Sequence, residues 1–209
     1  MQAFKKIFGQ YNRIVLGMIH VRALPGSPRH SLTFDEISNK ACEEAKIYSK
    51  HGLSGIVLEN MHDVPYEKEI EQKPHTVAFM TAIATKVRQQ FPHLPIGIQI
   101  LSGANQQALA VAVAANLNFI RCEGYVFGHI GDEGYIDSCA ASLLRYRKYL
   151  NADNILIFTD VKKKHSSHAI TDDITTCDVS KAAEMFLSDG IIVTGQSTGI
   201  SPDENLVQG

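Results

Sequence analysis

The chain alternates between short, continuous apolar runs and segments with helical periodicity. Six runs have the length of a strand, and none alternates between apolar and polar residues, which is typical of strands that are covered on both faces in a parallel sheet. In chain order these runs are RIVLGMI, SGIVLEN, PIGIQIL, NFIRCEG, ILIFTD and GIIVTG. We therefore predict six parallel strands.

The segments between the runs read as helices. FDEISNKACEEAKIYSKHG places apolar residues at helical spacing and has Gly52 as a stop signal. HTVAFMTAIATKVRQQF, NQQALAVAVAANL, SCAASLLRYRKYL and the shorter VSKAAEMFL follow the next runs. Strands that alternate with helices predict a parallel α/β fold.

Two parallel architectures fit six strands, an open doubly wound sheet and a (β/α)8 TIM-type barrel. The open sheet usually has a glycine-rich nucleotide turn after its first strand, but HVRALPGSP follows here. We therefore predict an incomplete TIM-type barrel of about six βα units. It would form one domain over residues 1–209, with residues 1–12 as a lead-in and the last two βα units missing, since such barrels take about 250 residues.

Composition narrows the class of protein. The 209 residues are 44% hydrophobic and 20% charged, with a net charge of −2, so no nucleic-acid partner is expected. No apolar stretch approaches the roughly 20 residues that span a bilayer, which predicts a soluble protein. The four cysteines are far apart and read as reduced, mostly buried thiols. The first acidic residue is Asp35, after several basic residues, so a mitochondrial location is the alternative to the cytoplasm.

Polar residues close all six apolar runs. In a barrel these positions meet at the face that carries chemistry, and charged groups beside buried strands need a partner or a ligand. In chain order they are His20, Glu59 with Asn60, Gln99, Arg121 with Glu123, Asp160 and Thr194; Lys162, Lys164, His165 and His168 follow Asp160.

Structural interpretations stay open for several of these residues. Glu59 and Arg121 could form a buried ion pair, and His20 could donate to a backbone carbonyl at the rim. The run Lys162 to Lys164 reads equally well as an exposed loop. His62, His75, His93 and His129 read as surface or packing residues.

Several segments in the same order resemble the BtpA family of barrel proteins, named for a cyanobacterial factor needed for stable photosystem I. They are GMIHVRALPGSP, GIVLENMHDVPY, HTVAFM, FIRCEGY, DEGYIDSCAASLLRYRKYL, DVKKKH and IIVTGQSTG. The resemblance covers most of the chain. One departure follows the third strand, where relatives have an Asn-Asp pair and this chain has Gly103 and Ala104.

The family pattern implies a set of functional positions. It picks His20 and Pro25 after the first strand, Glu59, Asn60, Asp63 and Pro65 after the second, Arg121 after the fourth, Asp160, Lys164 and His165 after the fifth, and Thr194, Gly195, Thr198 and Gly199 after the sixth. Strand-end reasoning selects nearly the same residues.

We consider two functions. The first is an enzyme that acts on a small sugar-like or phosphorylated metabolite by lyase- or isomerase-type acid-base chemistry. Its candidate catalytic residues are Glu59, Asp160, Lys164 and His165, and its candidate ligand-binding residues are His20, Asn60, Asp63, Arg121, Thr194, Gly195, Thr198 and Gly199.

Within that hypothesis, Glu59 or Asp160 is the general base and Lys164 the electrophile or Schiff-base amine, while Arg121 clamps an anion. A divalent metal on His20, Glu59 and Asp160 is a weaker variant. The second function, implied only by the resemblance, is a non-catalytic assembly or stability factor. The partners considered are a small-molecule ligand and a second copy of the chain in a homo-oligomer.

Overall fold

The computed structural model describes residues 2–10 and 13–203. Six strands form one parallel sheet, and all six coincide with the predicted apolar runs. They are β1 (Leu16–His20), β2 (Gly55–Glu59), β3 (Ile96–Gln99), β4 (Phe119–Cys122), β7 (Leu156–Val161) and β9 (Gly190–Val193), and they pair in that order. Residues from the carboxyl ends of five of the strands line one cavity, so the sheet is curled into a half-barrel. The prediction of a TIM-type α/β fold is confirmed.

Helices connect the strands on the outer face of the sheet. They are α2 (Phe34–Lys50), α3 (Pro74–Gln90), α4 (Asn105–Ala114), α5 (Ala140–Tyr149) and α6 (Thr176–Met185). Thr33 and Thr175 begin α2 and α6 as capping boxes, with Glu36 and Asp178 as the reciprocal acids. Gly52 adopts a φ of +72° just beyond α2, as its predicted role as a stop signal requires.

A short helix, α1 (Gln2–Phe8), precedes the first strand and packs against the inner face of the sheet. The Phe8 ring lies 5.8 Å from that of Phe119, and the Phe4 ring 6.2 Å from that of Phe158. Gly97 makes room for this cluster, because a Cβ there would lie 2.1 Å from the Phe119 ring. The lead-in thus contributes apolar side chains to the end of the half-barrel opposite the cavity.

A second, antiparallel sheet was not predicted. It consists of β5 (His129–Gly131), β6 (Gly134–Ile136) and β8 (Ser166–Ser167), in the order β6, β5, β8. Strands of two or three residues are too short to show a period of two, so only the GDEG turn between β5 and β6 marked the hairpin. The two 3-10 turns, η1 (Glu69–Glu71) and η2 (Ala169–Thr171), complete the secondary structure.

The sixth parallel strand is the most exposed. Within the described chain β9 pairs only with β7, and 44% of Ile191 is exposed, whereas β2 and β3 are buried along almost their whole length. Met185 and Leu187, just before β9, are also largely exposed. An apolar strand with a free edge favours association with another chain.

We therefore predict that Ile191→Lys lowers the self-association of this chain, because a charge at an edge strand opposes edge-to-edge pairing. Sedimentation velocity over a concentration series measures the effect. Ile70→Lys is the control, since Ile70 is 90% exposed but lies on η1, far along the chain from the edge. Equal association of both variants and the unmodified chain would contradict the role of the β9 edge.

Candidate active site

The strand ends of the half-barrel converge on a cavity of about 310 Å³. Five of its lining residues close consecutive strands of the sheet, namely His20, Glu59, Gln99, Arg121 and Asp160. Loops add Met61, Tyr66, Leu101, Glu123, Asp132, Glu133, Lys163, Lys164, His165 and Thr198. Parallel strands present their carboxyl ends at the same edge, which is why residues distant in sequence meet here.

Arg121 and Asp160 form a bidentate ion pair at the base of this cavity. Nε and Nη2 of Arg121 donate to the two carboxylate oxygens of Asp160, each over 3.0 Å. Only 1% of the Asp160 side chain and 15% of that of Arg121 are exposed. Burial raises the pKa of Asp160 to about 6, and the Arg121 guanidinium acts in the opposite direction.

This pairing corrects one of the structural interpretations drawn from the sequence. In the described chain Arg121 has its ion pair with Asp160, and no ion pair joins it to Glu59. β4 and β7 are neighbours in the sheet, whereas β3 separates Glu59 from Arg121. The neighbouring strand therefore supplies the partner.

Glu123 and Lys163 form a second buried ion pair, which sequence reasoning missed. Lys163 Nζ lies 3.2 Å from Glu123 Oε1, with 9% and 5% of the two side chains exposed. Gln99 Nε2 and the Gly103 N–H also donate to the Glu123 carboxylate, over 2.9 and 3.0 Å. The reading of the lysine run as an exposed loop is thus wrong for Lys163. Its position three residues after a strand-closing aspartate was the available signal.

Glu59 differs from these two acids. Its side chain is 12% exposed, and His20 Nε2 lies 3.9 Å from its Oε2. No side chain or backbone group of the described residues donates a hydrogen bond to its carboxylate. Burial raises the pKa of Glu59, while Arg121, Lys164 and Lys163 act in the opposite direction. A desolvated, unbonded carboxyl group beside cations is suited to proton transfer.

His20 shares the mouth of the cavity with Glu59. Burial lowers the pKa of its imidazole, Glu44 opposes that effect, and Lys164 and Arg22 reinforce it, so the ring is neutral at pH 7. The described residues give it no hydrogen bond to a backbone carbonyl, the rim contact considered from sequence. A neutral ring at 3.9 Å from Glu59 can accept or relay a proton.

The loops after β7 and β9 are tied together beside the cavity. The Lys164 N–H donates to Thr194 Oγ1 over 2.9 Å, and the Thr198 N–H donates to His165 Nε2 over 3.3 Å. His165 Nε2 is also 3.0 Å from Thr198 Oγ1. Lys164, His165 and Thr198 line the cavity, whereas Thr194, Gly195 and Gly199 do not and instead shape the loop.

Asn60 and Asp63 lie at a different place. With Pro25 and Pro65 they line a neighbouring cavity of about 240 Å³. Asn60 is 2% exposed and accepts the Leu101 N–H over 2.8 Å, and Asp63 accepts the Leu24 N–H over 2.8 Å. These bonds join the loops after β1, β2 and β3, so both residues brace the walls of the main cavity.

The metal variant has no geometric support. Among the residues that the structure describes, no three His, Cys, Asp or Glu side chains are grouped so that they could hold a metal ion. Of the proposed ligands His20, Glu59 and Asp160, the last has both carboxylate oxygens engaged by Arg121.

The hairpin of β5 and β6 supplies further carboxylates that the sequence did not reveal as part of the site. Its tip residues Asp132 and Glu133 line the cavity, and β8, which follows the lysine run, pairs with β5. The hairpin therefore covers one side of the cavity.

Tyr66 also lines this cavity. Burial and, to a smaller extent, the charge of Glu59 raise the pKa of its hydroxyl group to about 12.

These features define a TIM-type barrel protein with an acid-base cavity at the carboxyl ends of its strands. A sequence model of the BtpA family matches residues 11–209. The chain belongs to the BtpA family, as its segments indicated.

Two relatives and one solved structure place the chain among known proteins. It is 46% identical over 208 residues to an uncharacterised mitochondrial protein of Caenorhabditis elegans, covering 97% of this chain and 75% of that protein. It is 34% identical over 194 residues to the photosystem I biogenesis protein BtpA of Synechocystis sp., covering 93% and 66%. The fold matches 2,3-dimethylmalate lyase, of the PEP mutase/isocitrate lyase superfamily, with a TM-score of 0.56 and 9% identity, over 93% of this chain and 63% of that one.

The ion pair at the base of the cavity gives a stability prediction. Burial disfavours the Asp160 carboxylate itself, but Asp160→Asn also leaves the buried Arg121 guanidinium charged and without its counter-charge. We expect this second cost to outweigh the first and to lower the free energy of unfolding by roughly 3 kcal/mol. Urea denaturation at pH 7 measures the change. Asp153→Asn is the control, because the Lys148–Asp153 pair is largely exposed and should contribute little. Adding Arg121→Met should restore much of the loss, and no recovery would show that the two side chains are not coupled.

Glu59 gives the opposite prediction. Because its pKa is raised in the folded protein, its stabilising contribution is complete below the pKa of the unfolded chain and is lost as the pH rises. Glu59→Gln mimics the protonated form, so it should match the unmodified chain near pH 4 and exceed its stability at pH 7 by on the order of 1 kcal/mol.

Urea denaturation at both pH values tests this, with the exposed Glu71→Gln as the control. A Glu59→Gln protein that is less stable than the unmodified chain at pH 7 would show that the carboxylate has a stabilising partner.

Proposed function

We propose that this chain is the core of a barrel enzyme in which Glu59 exchanges a proton with a carbon of a small, sugar-like metabolite, in a lyase- or isomerase-type reaction. The observation that carries the proposal is the buried Glu59 carboxyl group, which faces the cavity without a hydrogen bond from the described residues. Ion pairs hold the other two strand-end acids, Asp160 and Glu123. Among these three, Glu59 is the one free to move a proton.

The polar lining supports a hydroxyl-rich substrate. Gln99 is 2% exposed, its Nε2 is fixed by Glu123, and its Oε1 is buried without a partner in the described chain. A buried acceptor of this kind costs free energy unless a donor reaches it. Asp132 and Glu133 add further acceptors on the hairpin side of the cavity, and substrate hydroxyl groups would supply the donors.

An anionic group on the substrate would fit beside the loop that follows β7. Lys164, His165 and Thr198 lie together there, and they offer an ammonium group and, from Thr198, a hydroxyl group. Under this proposal Lys164 holds a carboxylate or phosphate and stabilises charge that develops during proton abstraction. His20 receives the proton from Glu59, and Arg121 and Asp160 hold the base of the cavity in place.

Binding is tested by thermal unfolding in the presence of sugars, sugar acids and sugar phosphates, with inorganic phosphate as the control. A ligand at 100 times its Kd should add roughly 2.7 kcal/mol of stability. Absence of a shift with every member of the panel would count against a sugar-like substrate.

Proton transfer is tested with any ligand that produces a shift. In D2O the unmodified protein should exchange a carbon-bound proton of that ligand for deuterium, detected by proton NMR. Glu59→Gln should retain the thermal shift and lose the exchange by at least about 100-fold. Asp153→Asn serves as the matched carboxylate control and should exchange normally. Undiminished exchange by Glu59→Gln would overturn the assignment of the base.

A second candidate is an assembly or stability factor, as the name of the Synechocystis relative describes that protein. The exposed β9 edge supports a partner protein. The absence of both ligand binding and deuterium exchange, together with a partner whose binding Ile191→Lys abolishes, would favour this function.

For the compartment, the name of the Caenorhabditis elegans relative supports the mitochondrial alternative. No helix in the described part of the chain is long and apolar enough to cross a membrane.

A further inference from the structure

Two cysteines that the proposed chemistry does not use lie side by side behind the cavity. Cys122 is the last residue of β4, and Cys139 precedes the first residue of α5. Their Sγ atoms are 3.8 Å apart, although 17 positions separate them in the chain. A disulfide needs about 2.05 Å between the sulfurs, so the two sulfurs would have to move closer together for a bond to form.

The surroundings of the two thiols differ. Cys122 is fully buried, whereas Cys139 is partly exposed. Asn105 Nδ2 donates to Cys139 Sγ over 3.2 Å, and Cys139 occupies the N-cap position of the ten-residue α5, where the helix dipole favours negative charge. The hydrogen bonds from Cys122 and Asn105 lower the pKa of Cys139, and burial opposes them. Burial raises the pKa of Cys122.

We propose that Cys139 is a peroxide-sensitive thiol and that Cys122 resolves its oxidised form into an intramolecular disulfide. The Cys139 thiolate attacks a peroxide, the O–O bond breaks, and one oxygen stays on sulfur as a sulfenic acid while the other leaves in an alcohol or water. Cys122 sulfur then bonds to Cys139 sulfur, and the sulfenic oxygen leaves as water with the proton of the Cys122 thiol. Two thiols are oxidised by two electrons, and one peroxide is reduced.

The pair is connected to the cavity through Asn105. Besides its bond to Cys139, the Asn105 side chain donates to the Glu123 carbonyl over 2.7 Å and accepts the Glu123 N–H over 3.1 Å. Glu123 in turn holds Lys163. A movement of the two sulfurs toward each other therefore reaches the second ion pair of the cavity. The thiol chemistry itself does not depend on the proposed enzymatic function.

The test is oxidation of the native protein with graded hydrogen peroxide, followed by alkylation and peptide mapping under non-reducing conditions. Trypsin releases residues 122–145 as one peptide with both cysteines. We expect this peptide to become two hydrogens lighter and to lose both of its alkylatable thiols, and a dithiol reductant should restore them. Cleavage after Glu123 and Glu133 should release residues 124–133 and leave residues 122–123 linked to residues 134–145.

The other cysteines provide the controls. Cys177 is partly exposed and Cys42 buried, and both should stay alkylatable at the peroxide concentration that converts the pair. Cys122→Ser should stop at a sulfenic acid on Cys139, captured by dimedone. Cys139→Ser, which keeps a good helix cap, should leave Cys122 alkylatable after unfolding. Oxidation of Cys177 before Cys139, or a peptide 122–145 of unchanged mass after peroxide, would overturn the proposal.

Discussion

The bidentate bond between Arg121 and Asp160 organises the charges of the cavity. It joins neighbouring strands at the buried base of the site, where an unpaired charge would cost several kcal/mol. Because Arg121 donates to both carboxylate oxygens of Asp160, it forms no ion pair with Glu59 in the described chain and acts on Glu59 only through its charge. The other ionisable groups lie around this pair. Lys163 forms an ion pair with Glu123, and Lys164 lies close enough to Glu59 and His20 to influence the pKa of both.

This division explains why one carboxyl group is suited to chemistry and two are not. Asp160 and Glu123 are at least as buried as Glu59, but each has a counter-charge and hydrogen-bond donors that hold its carboxylate in place. Glu59 has neighbouring cations but no hydrogen bond from the described residues, so its charged form costs free energy of folding. Such a cost is typical of groups that a protein keeps for binding or catalysis. The hairpin of β5 and β6 adds shielding from water on one side, which strengthens electrostatic effects inside the cavity.

Much of the fold could be predicted from the sequence because the four central parallel strands, β2, β3, β4 and β7, are buried along most of their length, and burial leaves a continuous apolar run. The strand-closing residues then gave six of the 15 residues that line the cavity, since a parallel sheet brings its carboxyl ends together. Partner choice could not be predicted. Both Glu59 and Asp160 are acids at strand ends near Arg121. Asp160 forms the ion pair because its strand, β7, lies next to β4, whereas β3 separates β4 from the strand of Glu59. Lys163 was missed because three consecutive lysines give no sign of which one turns inward. The sequence also did not show that Asn60 and Asp63 lie at the neighbouring cavity, where their side chains accept loop N–H groups.

The central claim is that Glu59 is a desolvated acid without a bonded partner. It is tested most directly by carbon-13 NMR titration of the side-chain carboxyl carbons in protein labelled at glutamate, with Glu59→Gln to assign the signal. The account predicts that the pKa of Glu59 lies above that of free glutamate, about 4.3, and that Lys164→Gln raises it further because a nearby cation is removed. A pKa of Glu59 at or below the value of free glutamate, unaffected by Lys164→Gln, would contradict it.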